Sequence, residues 1–308
     1  MLVKCIFLYN PMSGKGALST KLDYIKQQLQ TKFDEVVMYQ TASAEDTIER
    51  AKTACHEFDA ILFSGGDGTF NDVACGVATQ SVRPVLGYIP SGTVNDIARN
   101  LKIPRNLKKA LQVILDGETV FHDVGKINDR FFIYVAALGT FTGVSYRTTH
   151  DAKRLLGRLA YAFDGLKEIS NPTLSQIRIK TETEDVEIDT PLVLVLNSTS
   201  VGGMPFNKNG HLNDGRFDVL VVKKGVHSGI LNILKLFILG LLRLRRSHVT
   251  YHFKSSKFTI EVANNPTWCV DGEAGVTGTV MIENLHNYLE IYVPKKANKK
   301  PKSKLFKY

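Results

Sequence analysis

Ser64-Gly65-Gly66-Asp67-Gly68-Thr69-Phe70-Asn71-Asp72 follows directly on the apolar run Ala60-Ile61-Leu62-Phe63. A buried strand that ends in three glycines, an aspartate and a threonine, and then opens a helix, carries the chemistry for holding phosphate. Glycine lets the backbone approach an oxyanion closely and adopt positive φ without a Cβ clash. The helix that follows offers its unpaired N–H groups and the positive end of its dipole to the same anion. Alone, the segment also reads as a plain Gly-Asp-Gly turn. It has company. Val85-Leu86-Gly87-Tyr88-Ile89 runs into Pro90-Ser91-Gly92-Thr93-Val94-Asn95-Asp96, and the first strand runs into Asn10-Pro11-Met12-Ser13-Gly14-Lys15-Gly16. Strand ends that repeatedly carry Gly with Ser or Thr point to a nucleotide. The Gly-x-x-x-x-Gly-Lys-Ser/Thr spacing of a P-loop is absent, because Ala17 and Leu18 follow Gly16, so the fold that holds the nucleotide is a different one.

The acids come next. Asp67 and Asp96 fall in turns at the same edge of the implied sheet and could face one site. Carboxylates beside a polyphosphate repel it unless a divalent cation intervenes, which implies Mg²⁺. Trp268-Cys269-Val270-Asp271-Gly272-Glu273 ends a strand with two acids around a glycine. It reads either as a polar hairpin turn or as the source of a general base that takes the proton of a hydroxyl attacking the γ-phosphorus. Base assistance contributes about 10²–10⁴-fold, and positioning and charge neutralisation supply the rest. In His211-Leu212-Asn213-Asp214-Gly215-Arg216-Phe217 a single carboxylate sits in a tight Gly turn. With backbone carbonyls on either side it could hold a hard cation, and a solvated hairpin loop fits the spacing equally well.

The elements that position these groups alternate in the first half of the chain. Strand 2–9 precedes an amphipathic stretch over about 17–33 with Leu18, Leu22, Ile25 and Leu29 at helical spacing. Strand 35–39 leads through Thr41 to a helix opening at Ser43, with Glu45 and Asp46 in its first turn. Strands 59–63 and 84–89 follow, each with its helix. This is the pattern of a Rossmann-like α/β unit, a parallel sheet with helices on both faces. Its ligand belongs beyond the carboxyl ends of the strands, where all three Gly-containing turns fall. After about residue 120 the texture becomes antiparallel β. Segments 120–127 and 130–135 flank Asn128-Asp129 as a hairpin, and strands are expected over 174–197, 216–223, 249–262, 267–271 and 278–293. Helical stretches interrupt near 150–170 and 227–242.

The 308 residues suffice for two domains, and 44% hydrophobic with 22% charged residues excludes a disordered or fibrous chain. The N-terminus enters a strand pattern without a basic region and cleavable apolar stretch, so secretion is not expected. Cys5, Cys55, Cys75 and Cys269 show no ligand-like spacing and read as reduced thiols of a cytoplasmic protein. The net charge of +9 is largely a tail, since seven lysines and no acid lie in the last fourteen residues. Such a tail could dock on anionic lipid, at about 1 kcal/mol per basic residue, or serve only solubility. The apolar stretch 229–242 precedes Arg243, Arg245 and Arg246. It is too short for a span of about 20 residues and reads as a core helix or as a surface suited to a bilayer interface.

In their order, Gly65-Gly66-Asp67-Gly68-Thr69 with Asn71, Pro90-x-Gly92-Thr93-x-Asn95-Asp96, Asp214-Gly215 and Val270-Asp271-Gly272-Glu273 resemble the soluble bacterial diacylglycerol kinases and the related YegS–BmrU-like lipid kinases. The resemblance runs from Asn10 to about Val293. The Gly-Gly-Asp-Gly-Thr element alone is shared with NAD kinases and phosphofructokinase-like proteins; the later motifs narrow it to lipid kinases.

The resemblance implies a nucleotide domain over 1–122 with a returning segment 286–294 and an antiparallel β-sandwich domain for the lipid acceptor over 123–285; the lysine composition adds a disordered basic tail over 295–308. The two domains would form a cleft. It implies ATP contacts at Asn10, Pro11, Ser13, Gly14, Lys15, Thr41, Gly65, Gly66, Asp67, Gly68, Thr69, Asn71, Gly92 and Thr93. Glu273 would accept the proton of the lipid hydroxyl with Asp271 beside it, and Asp67 and Asp96 would order the catalytic Mg²⁺. A structural Mg²⁺ would sit on Asp214 with the carbonyls of His211 and Arg216. Asp72 stands where the family often has Glu, and Asn213 where its close members often have Asp, which removes one charge from that loop. The expected activity is ATP-dependent phosphorylation of a membrane lipid, diacylglycerol first, by a cytoplasmic, peripherally membrane-associated enzyme. A homodimer through a sheet edge is compatible with so many strands, and no specific nucleic-acid partner is expected. The alternatives are an NAD kinase and a non-catalytic nucleotide- or lipid-sensing module.

Overall fold

The computed structural model describes residues 2–11, 19–139, 174–201, 207, 210–224 and 249–295. The expected helices near 150–170 and 227–242, and the lysine tail after Lys295, lie outside the described residues. The chain divides into two compact units. Met1–Phe70, Gln80–Phe121 and Glu290–Tyr308 form the first, and Asn71–Thr79 with His122–Leu289 form the second.

In the first unit, strands β1 (Lys4–Tyr9), β2 (Glu35–Gln40), β3 (Ala60–Gly65) and β4 (Val85–Pro90) lie in the order β2-β1-β3-β4, every pair parallel. The end of β16 (Val280–Val293) adds a parallel neighbour to β4, Ile291 opposite Leu86. Cys5 to Leu8 and Ala60 to Phe63 are buried without alternation, as strands covered on both faces must be. The helices α1 (Leu22–Leu29), α2 (Ala44–Ala54), α3 (Asp67–Ala78), α4 (Asp96–Asn100) and α5 (Leu107–Asp116) connect them. The amphipathic stretch expected over 17–33 is shorter in the structure. Its described part is a 3₁₀ turn, Ser19–Lys21, and α1, which buries Ile25 and Leu29. Ser43 caps α2 as its sequence indicates, accepting from the Asp46 N–H. Chain order departs from strand order between β1 and β3, and in such sheets the ligand crevice opens at this switch point, beyond the strands' carboxyl ends.

The second unit is a sandwich of antiparallel strands. One layer contains β8 (Ser175–Lys180), β9 (Asp185–Thr190), β13 (Lys257–Val262) and the first part of β16, with β5 (Glu118–Ile127) and β6 (Arg130–Phe132) at its side. The other runs β12-β11-β10-β7-β14-β15, where β7 is Val135–Gly139, β10 Leu192–Leu196, β11 Phe217–Val222, β12 Thr250–Ser255, β14 Thr267–Val270 and β15 Glu273–Thr277. Ile177, Ile179, Phe258, Ile260 and Ile282 of the first layer share one core with Val193, Val195, Phe217, Val219 and Trp268 of the second. Trp268 is fully buried and satisfies its indole N–H on the Gly278 carbonyl at 3.0 Å.

The structure corrects the sequence reading in three places. The hairpin arm expected over 130–135 breaks after Phe132 and resumes as β7 in the other sheet. Residues 273–277 form a strand where none is expected. The later turns of α3, Asn71–Thr79, group with the second unit although the sequence assigns 1–122 to the nucleotide domain throughout.

Candidate active site

At the carboxyl edge of the first unit's sheet, the turns after β3 and β4 interlock. A Cβ on Gly92 would lie 2.5 Å from the Gly66 Cα, and one on Gly65 would lie 2.3 Å from the Thr69 side chain. Only glycine fits where these backbones touch. The Ser91 and Gly92 N–H groups donate to the Gly65 carbonyl at 2.8 and 3.2 Å. The buried Tyr88 hydroxyl lies 3.1 Å from the same carbonyl and 3.3 Å from Asn95 Oδ1. Asn95 takes the left-handed conformation, φ 54° and ψ 54°, which asparagine tolerates better than most residues. Its Nδ2 donates to the Gly92 carbonyl at 2.8 Å. The Nη2 of Arg105 donates to the Gly92 and Thr93 carbonyls at 2.9 and 3.1 Å.

Asp67, the first residue of α3, caps α4. Its two carboxylate oxygens accept the N–H groups of Asp96 and Ile97, both at 3.0 Å. Burial pushes the Asp67 carboxyl above the ordinary carboxylate value, against those two donors, and the neighbouring Asp96 charge adds to the rise. Asp96 is buried and paired with Arg99 at 2.7 Å. At the end of β1, the Thr41 N–H donates to the Tyr9 carbonyl at 2.9 Å, which sets buried Thr41 beside the turn begun by Asn10 and Pro11.

In the second unit, Val270 pairs with Glu273 across the two-residue turn Asp271-Gly272. Both turn residues have positive φ, 50° and 93°, the geometry of a type I′ hairpin. Asp271 is buried, and its carboxylate accepts three backbone N–H groups, from Ile133 at 2.6 Å, Tyr134 at 3.0 Å and Val135 at 2.9 Å. Those donors are lost to a hairpin ladder, which explains the break after Phe132. Burial pushes the Asp271 carboxyl up to about 6, while the three N–H groups and Arg130 pull it down. Glu273 differs. Its side chain is 63% exposed, with Oε2 3.3 Å from Arg130 Nη2, and Arg130 Nη1 donates to the Ala274 carbonyl at 2.9 Å. On α3, the Cys75 thiol reaches Asn71 Oδ1 at 3.3 Å and the Phe131 carbonyl at 3.6 Å. Burial holds that thiol well above the ordinary value, and the charges of Asp271, Asp72 and Glu273 reinforce the shift against Arg130. Asn71, Asp72 and Cys75 thus share one electrostatic neighbourhood with the acidic turn.

The loop 211–216 is tied to buried Asp123. The Asp123 N–H donates to the Leu212 carbonyl at 2.8 Å, and its carboxylate accepts from the N–H groups of Gly215 and Asn287, both at 2.7 Å. Asp214 is met by the Arg216 N–H at 3.2 Å and by the Lys254 ammonium at 3.4 Å. His211 and Arg216 are exposed. Among the described residues no three His, Cys, Asp or Glu side chains gather as a metal site. A cation at Asp214 would compete with Lys254 for its carboxylate.

The structure therefore gathers Gly65 through Thr69, Gly92, Thr93, Asp67 and Asp96 at one sheet edge, and Asn71, Asp271 and Glu273 in the second unit. Ser13, Gly14 and Lys15 lie outside the described residues. Sequence reasoning missed Tyr88, Arg105, Asp123 and Arg130, and quoted Asn95 only as part of its motif, without a role. Asn95 had a signal, an asparagine inside a Gly-containing turn. Arg105 and Arg130 are isolated cations whose partners no spacing reports.

The chain thus joins an α/β unit with interlocked Gly-containing turns at one sheet edge to an antiparallel sandwich bearing an acidic hairpin, and the comparisons with known proteins place this architecture among the lipid kinases. Residues 4–127 match the diacylglycerol kinase catalytic domain family, and residues 137–293 match the YegS C-terminal NAD kinase beta sandwich-like domain. The chain is 32% identical to a diacylglycerol kinase of Staphylococcus carnosus over 94% of each chain. It is also 32% identical to one of Bacillus subtilis, over 94% of this chain and 95% of that protein. The crystal structure of a putative diacylglycerol kinase from Bacillus anthracis superposes with a TM-score of 0.84 at 27% identity, covering 96% of this chain and 97% of that one. The chain belongs to the diacylglycerol kinase family. It is a lipid kinase, a phosphotransferase. Among the described residues no helix is long and apolar enough to cross a membrane.

Proposed function

We propose that the chain transfers the γ-phosphoryl group of ATP to the free hydroxyl of diacylglycerol, giving phosphatidic acid and ADP, with Glu273 as general base. The observation that carries this reading is the division of labour in the Asp271-Gly272-Glu273 turn. Asp271 is buried and committed to three backbone N–H groups, whereas Glu273 stands exposed at the head of its strand. As the hydroxyl oxygen attacks the γ-phosphorus, its proton passes to Glu273 and the bond to the ADP oxygen breaks. The turns around Gly65–Thr69 and Gly92-Thr93 present N–H groups to the phosphates, with Asn10, Pro11 and Thr41 at the neighbouring strand ends. Mg²⁺ carried with the nucleotide would neutralise phosphate charge, and Asp67 and Asp96 would order its waters. The lipid is met at a membrane surface by a peripheral enzyme.

Transfer of labelled γ-phosphate to lipids in mixed micelles tests the proposal, with NAD as a parallel acceptor. Label should appear in phosphatidic acid. Glu273→Gln should lower turnover by about 10²-fold or more while ATP still binds. Near-normal turnover in that variant would sink the assigned base, and label in NADP would move the acceptor to a dinucleotide.

A further inference from the structure

We infer that Arg105 is the positioning residue of the nucleotide loop, holding two successive carbonyls aside so that the N–H groups of Thr93 and Val94 face the phosphates. The inference rests on the proposed ATP reading and goes beyond it, because it assigns the side chain that sets the loop's orientation.

Arg105 is exposed and lies between α4 and α5. Its Nη2 reaches the carbonyls of both Gly92 and Thr93, at 2.9 and 3.1 Å. A peptide unit is planar and trans, so the N–H of each residue points opposite to the carbonyl before it. Drawing the Gly92 and Thr93 carbonyls to one guanidinium therefore turns the N–H groups of Thr93 and Val94 together toward the other side. Successive N–H groups presented on one side make a concavity that binds anions.

The other fixings of this loop act elsewhere. Asp67 holds the N–H groups of Asp96 and Ile97, after the N–H pair in question. Asn95 holds the Gly92 carbonyl from within the loop at 2.8 Å, and Arg105 is the side chain that extends the hold to Thr93. Its charge reaches the same place, since it lowers the Tyr88 hydroxyl's pKa against the rise caused by burial. A guanidinium can fork across two acceptors where an ammonium is a point charge. Because Arg105 is exposed, its removal takes nothing from the core.

The test compares the wild type with Arg105→Ala, Arg105→Lys and Arg105→Gln. It reads kcat, KM for ATP, KM for lipid, ATP binding by calorimetry without lipid, and thermal midpoint. The expected result for Arg105→Ala is an ATP KM raised about tenfold, the scale of one hydrogen bond from a charged donor. Its kcat, lipid KM and thermal midpoint should stay near wild type, and Arg105→Lys should recover only part of the loss. An unchanged ATP KM in the alanine variant would overturn the assignment. So would a parallel fall in kcat and thermal midpoint, which marks a general structural role, or full recovery by lysine, which marks charge alone. If the wild type itself neither binds nor uses ATP, the nucleotide reading fails first and takes this inference with it.

Discussion

Asp271 and Glu273 are two positions apart and opposite in circumstance. A buried carboxylate that accepts three N–H groups is committed to the backbone rather than offered to a substrate; its work is to hold the bend at Ile133–Val135. Asp271→Asn turns an amide NH₂ into a cradle of donors, and an unsatisfied buried group costs about 1–3 kcal/mol. Denaturant unfolding should show a loss of that size. The pH dependence has a definite sign. Burial raises the folded-state value from 3.8 to about 6, so the folded protein holds this proton more tightly than the unfolded chain. The stability it contributes is fully present below about pH 4 and is lost as pH rises through about 6. The variant lacks that slope, so its deficit against wild type should shrink between pH 4 and 6.5. A deficit that grew with pH would mean that the N–H donors outweigh burial and the carboxyl is ionised throughout.

At the scale of elements, the proposed nucleotide edge depends on two turns that touch backbone to backbone. Gly92→Ala puts a Cβ 2.5 Å from the Gly66 Cα, and backbone cannot give way as a side-chain tip can. The turns must part, at about 1–3 kcal/mol for such overpacking. Calorimetric titration should show ATP binding weakened by about tenfold or more, with the lipid KM less affected; unaltered ATP binding would mean that the turns are not held in register by this contact. The strands and the Gly turns of this edge were legible in the sequence because their signals are local. Apolar runs such as Ala60 to Phe63 and glycines such as Gly65 and Gly92 declare themselves within a few residues. What was not legible depends on distant partners. The break after Phe132 exists because Asp271, well over a hundred residues on, takes the N–H groups that a ladder would use. β15 escaped notice because Glu-Ala-Gly-Val-Thr carries little β-propensity and is a strand only by pairing with β14. The acidic turn could be read either as a hairpin or as the source of a base; the structure shows the hairpin, which exposes Glu273 and buries Asp271.

For the molecule as a whole, the open question is what brings a chain with no membrane-crossing helix among its described residues to a lipid hydroxyl. Charge supplies one answer. Removing residues 295–308 takes away seven lysines and no acid, and lowers the formal net charge from +9 to +2. The last described residue, Lys295, lines a shallow concavity of about 250 Å³ with Lys109 of α5, another exposed cation. Each basic residue near an anionic leaflet contributes about 1 kcal/mol, and the attraction fades beyond a Debye length of about 10 Å at 0.1 M salt. Truncation at Pro294 should therefore weaken binding to phosphatidylglycerol-containing vesicles by about 10²-fold or more at low salt. It should leave binding to neutral vesicles unchanged and make little difference at high salt. Turnover in neutral-detergent micelles should persist, because none of the proposed catalytic residues is removed. Equal binding of the full and truncated chains to anionic vesicles at low salt would show that the lysines serve only solubility, and would leave the approach to the bilayer to the folded units.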